Sequence, residues 1–585
     1  MRKVVELTLY RRILSMQFRY SIVIYSLAIL IASVNSAVIV DDGDVDEQGL
    51  YSKSDHIEIL THRNFERKIY DQDHALLVQF YNSYCGHCRN FAPKYKTMAG
   101  EIVNWKNIIR LAVIDCSVEE NNEICRQFEV MAYPSLRYLH EHYVKANTNV
   151  GDKLTVTDTS ERLKAELITK MINEQTVGRL RFAPSFSIGS YSSYGTALKD
   201  VPADVQFIFL VLENGNSTLG SGLALDINDY QKVKVKRVYE TSELADVADI
   251  KYFPGLVAVT PSLQHTLLTP KESTKQNLLK AINTFLRSQN YKFPAGNRGS
   301  QEILSGDSSN EKQSTLNTDL VYYSDLEKTL KLSLHTEITR FKVLSGEPLQ
   351  ALLSYLDVLI GIFPARGNLK EYLSDLRTTL RTKSSWTGSE VYELVKQLET
   401  AHAPVYVTNM EYVRCKGSHP KFRGYTCGLW TLFHTLTVNA VQKPGVEGPK
   451  VLKAMHGYVK NFFGCTNCSE HFQAMAERNR IDYVKENDKA VLWLWISHNE
   501  VNLRIAGDIT EDPDHPKIQF PSVTRCPECR LARGAWNLPA VYEYLQNIYG
   551  AANIQAMRQT RSPAPAPSPF TNLDIGMLSL LYMTA

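Results

Sequence analysis

The sequence lacks a marked excess of charge of either sign. It contains 65 Lys and Arg against 62 Asp and Glu in 585 residues, a formal net charge of +3. Nothing in the overall charge therefore argues for a nucleic-acid partner. Its 10 cysteines are too few for a small disulfide-framework protein, and 44% hydrophobic and 22% charged residues exclude wholesale disorder. At roughly 150 residues per domain, the length predicts about four domains.

Cysteine is missing altogether from the middle of the chain. None occurs between Cys125 and Cys415, and three pairs outside this gap have the spacing C-x-x-C. This distribution predicts two redox or metal-binding modules separated by a cysteine-free region. The ten cysteines are Cys85, Cys88, Cys116, Cys125, Cys415, Cys427, Cys465, Cys468, Cys526 and Cys529.

Residues 1–37 have the composition of a secretory signal peptide. A basic stretch precedes an apolar run over residues 22–32, and small residues then lead to a predicted cleavage point near Ser36 or Ala37. An uncleaved anchor is the alternative, although the run is shorter than the roughly 20 residues of a membrane span. We expect a location in the endoplasmic reticulum or Golgi lumen, or outside the cell, where disulfides persist. Asn216 is a predicted glycosylation site.

Residues 551–585 are predicted to form a stalk and a short tail. Four prolines between residues 563 and 569 indicate a flexible linker. The apolar segment 575–585 is about half as long as a membrane helix. The sequence therefore leaves secreted, Golgi-retained and membrane-tethered forms open.

Residues 46–165 alternate strand and helix signals, which predicts an α/β domain with a mixed sheet. Apolar runs at residues 76–80, 108–114 and 136–139 are the strand candidates. The sequence Cys85-Gly-His-Cys88 follows the first run at a predicted helix start. The free N–H groups and positive dipole end of that helix would stabilise a thiolate on Cys85, which is the attacking species in disulfide exchange.

Cys88 is placed to resolve the mixed disulfide that Cys85 forms, and Pro134 is predicted to form a cis-proline loop opposite the pair. This pattern resembles the thioredoxin and protein disulfide isomerase family, with Tyr84 where that family usually has Trp. A zinc knuckle or a static disulfide is the alternative. Cys116 and Cys125 are expected to form a structural disulfide that closes a short loop, with a regulatory thiol pair as the alternative.

Residues 170–295 weakly repeat the features of the first domain without its cysteines. A strand signal at residues 205–212 is followed by residues 214–217, Asn-Gly-Asn-Ser, where the C-x-x-C would stand, and Pro254 has surroundings similar to those of Pro134. We interpret this region as a duplicated domain that has lost its redox pair, with two unrelated α/β domains as the alternative. A linker is predicted over residues 296–317, and helix periodicity begins at residue 318.

Three stripes of aromatic and neutral polar residues lie on predicted helices within residues 401–550. Trp430 and His434 are four apart, and His471 follows Cys468 by three, so each pair shares a helix face. The third stripe has the spacing i, i+3, i+4 and i+7, and its members are Trp495, His498, Asn499 and Asn502. Such faces suit a flat polar heterocycle held between helices, whereas a single histidine is more often structural.

These residues resemble the Erv-type FAD-linked sulfhydryl oxidase domain, and the whole arrangement resembles the quiescin sulfhydryl oxidase family. The implied fold is multidomain α/β plus all-α. Two thioredoxin-like domains (46–165 and 170–295) precede a degenerate helical, pseudo-Erv segment (318–400) and a helical-bundle Erv-type domain (401–550). Asn467 stands where an acidic residue is common, and Phe520 where Trp is common. The implied FAD contacts are Arg423, Trp430, His434, Asn467, His471, Trp495, Ser497, His498, Asn499, Val501, Asn502, Lys517 and Phe520.

The resemblance implies a two-step relay from reduced proteins or small thiols to dioxygen. A substrate dithiol reduces the Cys85–Cys88 disulfide, the reduced pair attacks Cys465, and Cys468 passes two electrons to FAD. Reduced FAD then converts dioxygen to hydrogen peroxide. No metal is implied. The degenerate segment can replace a partner subunit, so a monomer is expected.

The remaining cysteines are expected to be structural. Cys415 and Cys427 bracket Arg423 and would hold its loop against the flavin helix. Cys526 and Cys529 are interpreted as a structural disulfide because Pro527 stiffens their loop, with a third exchange pair as the alternative.

Two other functions fit the cysteine pattern less well. The first is a zinc-binding adaptor, although the separation of its C-x-x-C pairs exceeds the usual spacing of zinc knuckles. The second is a disulfide isomerase that lacks its own oxidase.

Overall fold

The computed structural model describes residues 49–146, 149–294, 320–443, 445 and 448–556. The predicted signal peptide, the predicted linker 296–317 and residues 557–585 of the predicted stalk and tail lie outside the described residues.

The first sheet has five strands in the order β1-β3-β2-β4-β5. β2 runs parallel to β3 and antiparallel to β4. All seven residues of β2 are buried, as expected of an apolar run that is covered on both faces of a sheet. The strands are β1 (Glu58–Leu60), β2 (Ala75–Tyr81), β3 (Ile109–Asp115), β4 (Ser135–Leu139) and β5 (Asp152–Leu154). The helices of this region are α1 (Phe65–Ile69), α2 (Gly86–Glu101), α3 (Asn122–Gln127) and α4 (Ser160–Thr176).

The second sheet repeats this topology strand for strand, in the order β6-β8-β7-β9-β10. Its central strand β7 is parallel to β8 and antiparallel to β9. The peptide bonds before Pro134 and Pro254 are both cis, so the two sheets also share this loop. The strands are β6 (Ile188–Gly189), β7 (Phe207–Glu213), β8 (Val233–Tyr239), β9 (Gly255–Val259) and β10 (His265–Leu267). The helices are α5 (Tyr194–Leu198), α6 (Leu219–Asp226), α7 (Leu244–Val247) and α8 (Lys275–Ser288).

A buried ion pair stands near the place that the redox pair occupies in the first sheet. Glu213 ends β7, and its Oε1 lies 2.5 Å from Nε of Arg237 on β8. The side chains are 0% and 3% exposed. Ser217 and the amide of Gly220 also donate to the Glu213 carboxylate, so its charge is well compensated.

The helical region has one hydrophobic core, to which both halves of the region contribute. Buried residues from 321–405 and from 425–554 pack in a single cluster. The first half contains α9 (Tyr323–Leu332), a π-helical turn (Ser333–Glu337), α10 (Gly346–Ile362), α11 (Leu369–Leu380), α12 (Gly388–Ala401) and the short strands β11 (Leu344–Ser345) and β12 (Ser385–Trp386). The second half contains α13 (Gly424–Ala440), α14 (Gly448–Phe462), α15 (Thr466–Arg478), α16 (Asn487–Ile505) and α17 (Leu538–Tyr549).

The predicted fold class is confirmed. The strand signals at 76–80, 108–114, 136–139 and 205–212 correspond to β2, β3, β4 and β7, whereas the short edge strands β1 and β5 were not predicted. The predicted start of the stalk at residue 551 is wrong. Ile554 is buried, and Gln555 pairs with Val321 and Tyr323 through backbone hydrogen bonds, so the folded region continues to that point.

Among the described residues, no helix combines the length and hydropathy of a membrane span.

Glu213→Ala should lower the free energy of unfolding by about 3–5 kcal/mol, because it leaves the buried Arg237 guanidinium without its counter-charge. Urea unfolding followed by circular dichroism would measure the effect. Lys251→Ala is the matched control, since it removes one partner of the exposed Lys251–Asp249 pair. Equal transition midpoints for the two variants would contradict the prediction.

Candidate active site

The first cysteine pair lies at the junction between β2 and α2. Cys85 is the N-cap residue of α2, and Cys88 lies in its first turn. Both are free thiols and buried. The Cys85 thiol donates to the carbonyl of Tyr133 over 3.7 Å, and Tyr133 precedes the cis-proline. The predicted cis-proline loop is therefore directly opposite the pair.

The two thiols differ in acidity. Burial raises the pKa of Cys85, but the Cys88 thiol and the backbone amides of Cys88 and His87 stabilise the thiolate, so the net shift is downward. Burial and the neighbouring Cys85 hold the pKa of Cys88 well above its usual value. Burial lowers the pKa of His87, which favours its neutral form. The thiolate form of the pair is thus favoured on Cys85.

The second cysteine pair is docked on the cis-proline loop of the first. The Tyr133 amide donates to the carbonyl of Gly464 over 3.0 Å, and Tyr133 forms a parallel bridge with Cys465. Cys85 and Cys465 line the same small cavity between the two regions. An extended segment that pairs with an exposed backbone edge is a common mode of peptide recognition. The segment that carries Cys465 therefore occupies the backbone edge of the cis-proline loop.

The second pair connects this small cavity to a large one. Cys465 and Cys468 form a disulfide at the start of α15. Cys465 lines the small cavity, whereas Cys468 lines the large one. The disulfide therefore lies between the free thiols and the large cavity.

The large cavity has a volume of about 720 Å³, within the usual range for a cofactor site. The Trp430 and His498 rings in its wall stack in parallel, with centroids 4.1 Å apart. Burial lowers the pKa of His498 well below its usual value, so this ring is neutral at neutral pH. The predicted flavin contacts that line the cavity are Arg423, Trp430, His471, His498, Val501, Asn502, Lys517 and Phe520.

The cavity wall also concentrates positive charge. Arg89, Arg414, Arg423 and Lys517 all line it. Within the described part of the chain, Nε of Arg89, Nη1 of Arg414 and Nε of Arg423 are buried without a hydrogen-bond partner. Burial, followed by repulsion from Arg423 and Arg89, lowers the pKa of Lys517 to about 8. A cavity with aromatic walls and surplus cations suits a ligand with both a flat ring and an anionic group, as FAD has.

Five predicted flavin contacts do not line the cavity. Trp495 and Asn499 donate instead to the carbonyl of Phe520, over 2.6 and 2.8 Å, and so hold the backbone of the cavity wall. His434 lies behind the wall, with Nε2 3.1 Å from Nδ1 of His498 and its ring stacked on another aromatic. The remaining two are Ser497, which is fully buried, and Asn467, which is exposed.

Comparison with known proteins agrees with this geometry. The thioredoxin family matches residues 56–164, the FAD-dependent sulfhydryl oxidase family matches 317–418, and the Erv1/Alr family matches 427–521. Sulfhydryl oxidase 1 of Gallus gallus is 34% identical over 531 residues, which cover 87% of this chain and 68% of the relative. The chain belongs to the sulfhydryl oxidase family.

Two further similarities involve human proteins. Sulfhydryl oxidase 2 of Homo sapiens is 30% identical over 501 residues, covering 82% of this chain and 70% of the relative. The structure of a sulfhydryl oxidase fragment of human QSOX1 is 34% identical and covers 41% of this chain and 100% of the fragment, with a TM-score of 0.38. The protein is an FAD-dependent oxidoreductase that oxidises protein thiols with dioxygen.

The other cysteines of this sulfhydryl oxidase form three disulfides. Cys116–Cys125 closes the loop after β3, and Cys415–Cys427 closes the loop that carries Arg423. The Cys526–Cys529 disulfide packs in the helical core and lines neither cavity. Both C-x-x-C pairs of the proposed zinc knuckles are therefore disulfides.

Several residues of the cavity wall were not predicted from the sequence. Tyr84, Gly86 and Arg89 come from the first thioredoxin-like domain and complete the wall. Arg89 Nη1 donates to the carbonyl of Lys421 over 2.7 Å. Arg89 directly follows Cys88 in the sequence, but no spacing rule indicates that it faces another domain.

An ion-pair cluster joins the first thioredoxin-like domain to the pseudo-Erv segment. His335, in the π-helical turn, lies 2.8 Å from Glu119 and 2.7 Å from Glu399. Burial lowers the pKa of His335, but its hydrogen bonds to the two carboxylates outweigh this, so the net shift is upward. The His335 hydrogen bond lowers the pKa of Glu119 to about 2. Tyr392 and Lys331 also face Glu119.

The stabilisation that His335 provides should depend on pH. Because its folded-state pKa is raised, its contribution is complete below the unfolded-state pKa of about 6.5 and is lost as the pH rises through the folded-state value. Since the pKa of Glu119 is lowered, its contribution is lost only as the pH falls toward about 2. The difference in melting temperature between the wild type and His335→Gln should therefore shrink as the pH rises above neutrality.

Calorimetry over a pH series would measure this difference. His142→Gln is the control, since His142 forms only an exposed pair with Asp71. A difference for His335→Gln that stays constant with pH would contradict the prediction.

Proposed function

We propose that this sulfhydryl oxidase passes electrons from substrate dithiols through Cys85–Cys88 to Cys465–Cys468 and then to FAD. The observation that carries this route is the backbone pairing of Tyr133 with Gly464 and Cys465. It holds Cys465 beside Cys85, while Cys468 faces the large cavity. The order of the cysteines in space is thus the order of the relay.

The exchange between the two pairs balances without any further reactant. The Cys85 thiolate attacks Sγ of Cys465, the Cys465–Cys468 bond breaks, and Cys468 leaves as a thiolate at the wall of the large cavity. Cys88 then loses its proton, attacks Cys85 and releases Cys465. The first pair ends as a disulfide and the second as a dithiol.

A protein substrate must use the Cys85–Cys88 pair when Cys465 is not docked. The backbone of Tyr133 pairs with Gly464 in the described arrangement, and one amide cannot serve two partners. The substrate and the Cys465 segment therefore alternate at the cis-proline loop.

The large cavity is the proposed flavin site. Trp430 and His498 would hold the flat portion of FAD by stacking, whereas Arg414, Arg423 and Lys517 would neutralise its pyrophosphate. Bound FAD supplies the two-electron acceptor and the reaction with dioxygen that the side chains lack. Trp495 and Asn499 would affect FAD binding indirectly, because both donate hydrogen bonds to the carbonyl of Phe520 in the cavity wall.

We also propose that the protein is a secreted or Golgi-resident monomer and that it is glycosylated at Asn216. The shared core of 321–405 and 425–554 supports the monomer, since the pseudo-Erv segment covers the face that a second subunit would otherwise cover. Asn216 is exposed in the turn after β7, as a glycan requires. Light scattering and glycosidase treatment of the secreted protein would test these points.

Cys468→Ala should abolish dithiol-dependent oxygen uptake and leave the flavin bound, because the last thiolate before the cofactor is lost while most of the cavity wall is unchanged. Oxygen-electrode traces and visible absorption spectra would show both effects. The Cys526→Ala/Cys529→Ala variant is the control, since it removes a C-x-x-C pair that lines neither cavity. Wild-type oxygen uptake by Cys468→Ala would overturn the proposed relay.

Cys85→Ala should block the oxidation of reduced proteins, whereas small dithiols should still reduce the flavin slowly by direct attack on Cys465–Cys468. The reason is that only the first pair carries a peptide-binding edge. Comparison of oxygen uptake with a reduced protein and with dithiothreitol would separate the two routes. Equal losses with both substrates would argue against two successive pairs.

A further inference from the structure

We propose that the buried Glu337–Arg340 pair of the pseudo-Erv segment is a positioning device that presents Cys465 to Cys85. This inference rests on the proposed relay and assigns to the degenerate segment a part in the exchange step. Neither residue belongs to a cysteine-bearing motif.

The pair holds the backbone of the segment that leads into the second redox pair. Nη2 of Arg340 donates to the carbonyl of Phe462 over 3.1 Å. The amide of Gly464 donates to Oε2 of Glu337 over 3.0 Å. Two backbone groups immediately before Cys465 thus have side-chain partners from a different part of the chain.

The same pair also contacts the first thioredoxin-like domain. Nη1 of Arg340 lies 2.9 Å from Oε2 of Glu337, and its guanidinium lies 5.5 Å from the centroid of the Tyr133 ring. The Tyr133 amide in turn donates to the carbonyl of Gly464. The network therefore connects the pseudo-Erv segment, the Cys465 segment and the cis-proline loop, and Glu337 itself lines the cavity that contains both Cys85 and Cys465.

The fit around Gly464 leaves no room for adjustment. A Cβ atom at this position would lie 2.2 Å from Nη1 of Arg340 and 2.6 Å from Cε2 of Tyr133. The φ angle of Gly464 is not in the left-handed region, so its backbone conformation does not require glycine. Glycine is required here because a side chain would not fit. The backbone at Gly464 is therefore tightly packed between the Arg340 guanidinium and the Tyr133 ring.

A role in stability alone does not account for two buried charges. The side chains of Glu337 and Arg340 are 5% and 4% exposed, and a buried ion pair can often be replaced by apolar residues at little cost in stability. Apolar residues could not, however, bond the Phe462 carbonyl and the Gly464 amide. What the pair adds is the orientation of the Cys465 segment, and a displacement of about 1 Å in a reacting group can slow a reaction about 100-fold.

The test replaces both charges together, so that neither is left uncompensated. Glu337→Met/Arg340→Met removes both backbone contacts, whereas Glu337→Gln/Arg340→Met is also uncharged but keeps an acceptor for the Gly464 amide. Glu213→Met/Arg237→Met is the matched control, because it replaces the buried pair of the second sheet. All variants, including the control, are made in the full-length flavoprotein. Flavin absorption and melting temperature identify any variant that fails to fold.

The first measurement uses the Cys88→Ser background. There, the Cys85 thiolate attacks Cys465, the Cys465–Cys468 bond breaks, and the Cys85–Cys465 disulfide accumulates because Cys88 is absent and cannot resolve it. Only the reverse attack by the Cys468 thiolate remains, and acid quenching at timed intervals stops it. Formation of the Cys85–Cys465 disulfide is followed by mass spectrometry of non-reduced peptides. The apolar double variant should slow this step roughly 10- to 100-fold. Glu337→Gln/Arg340→Met should lose less of the rate than the apolar double variant, and the matched control should remain close to the parent.

The second measurement is the reduction of the flavin by dithiothreitol in the Cys85→Ala background, which bypasses docking. The apolar double variant should leave this rate unchanged. An unchanged rate of Cys85–Cys465 formation, or an equal loss in both measurements, would overturn the positioning role. Absence of this disulfide from the Cys88→Ser parent itself would instead overturn the relay on which the inference rests.

Discussion

The backbone pairing between Tyr133 and Gly464 is the contact on which the rest of the site depends. A thiolate and a disulfide react only when they meet, and here they belong to regions more than 300 residues apart in the chain. The hydrogen bond and the parallel bridge use only main-chain atoms, so this pairing does not depend on the side chains of the docked segment. In the proposed relay, the same edge accepts both a client protein and the enzyme's own Cys465. Binding of the client protein and docking of the Cys465 segment would therefore exclude each other and would have to alternate.

The degenerate parts of the chain complete this arrangement. The pseudo-Erv segment shares its core with the flavin domain, and through His335, Glu337 and Arg340 it also reaches the first thioredoxin-like domain. The second sheet keeps the thioredoxin topology but has a buried Glu213–Arg237 pair in place of active thiols. The pseudo-Erv segment thus contacts both cysteine-bearing regions, although it has no cysteine of its own.

Local signals in the sequence were enough for the fold class and for the surroundings of the first cysteine pair. The strand before Cys85, the helix start at Gly86 and the loop at Pro134 are each encoded by neighbouring residues, and all are present in the structure. Helix periodicity was less informative about the flavin site, because it shows which residues share a face but not what that face meets. His434 shares a face with Trp430, yet it packs on His498 behind the wall. Arg89 and Glu337 were missed because their partners are distant in sequence, so only the tertiary fold brings them together.

Local charge favours the thiolates that the proposed relay requires. The pKa of Cys85 is lowered and that of Cys88 is raised, so the thiolate of the first pair forms on the sulfur that faces Cys465. Attack there expels Cys468 at the wall of the large cavity, where Arg89 adds a positive potential that is not assigned to the pyrophosphate. A leaving thiolate is stabilised by such a potential, as is a cofactor that gains electrons. The two thiolates that the exchange step requires, first on Cys85 and then on Cys468, thus form where neighbouring groups favour negative charge.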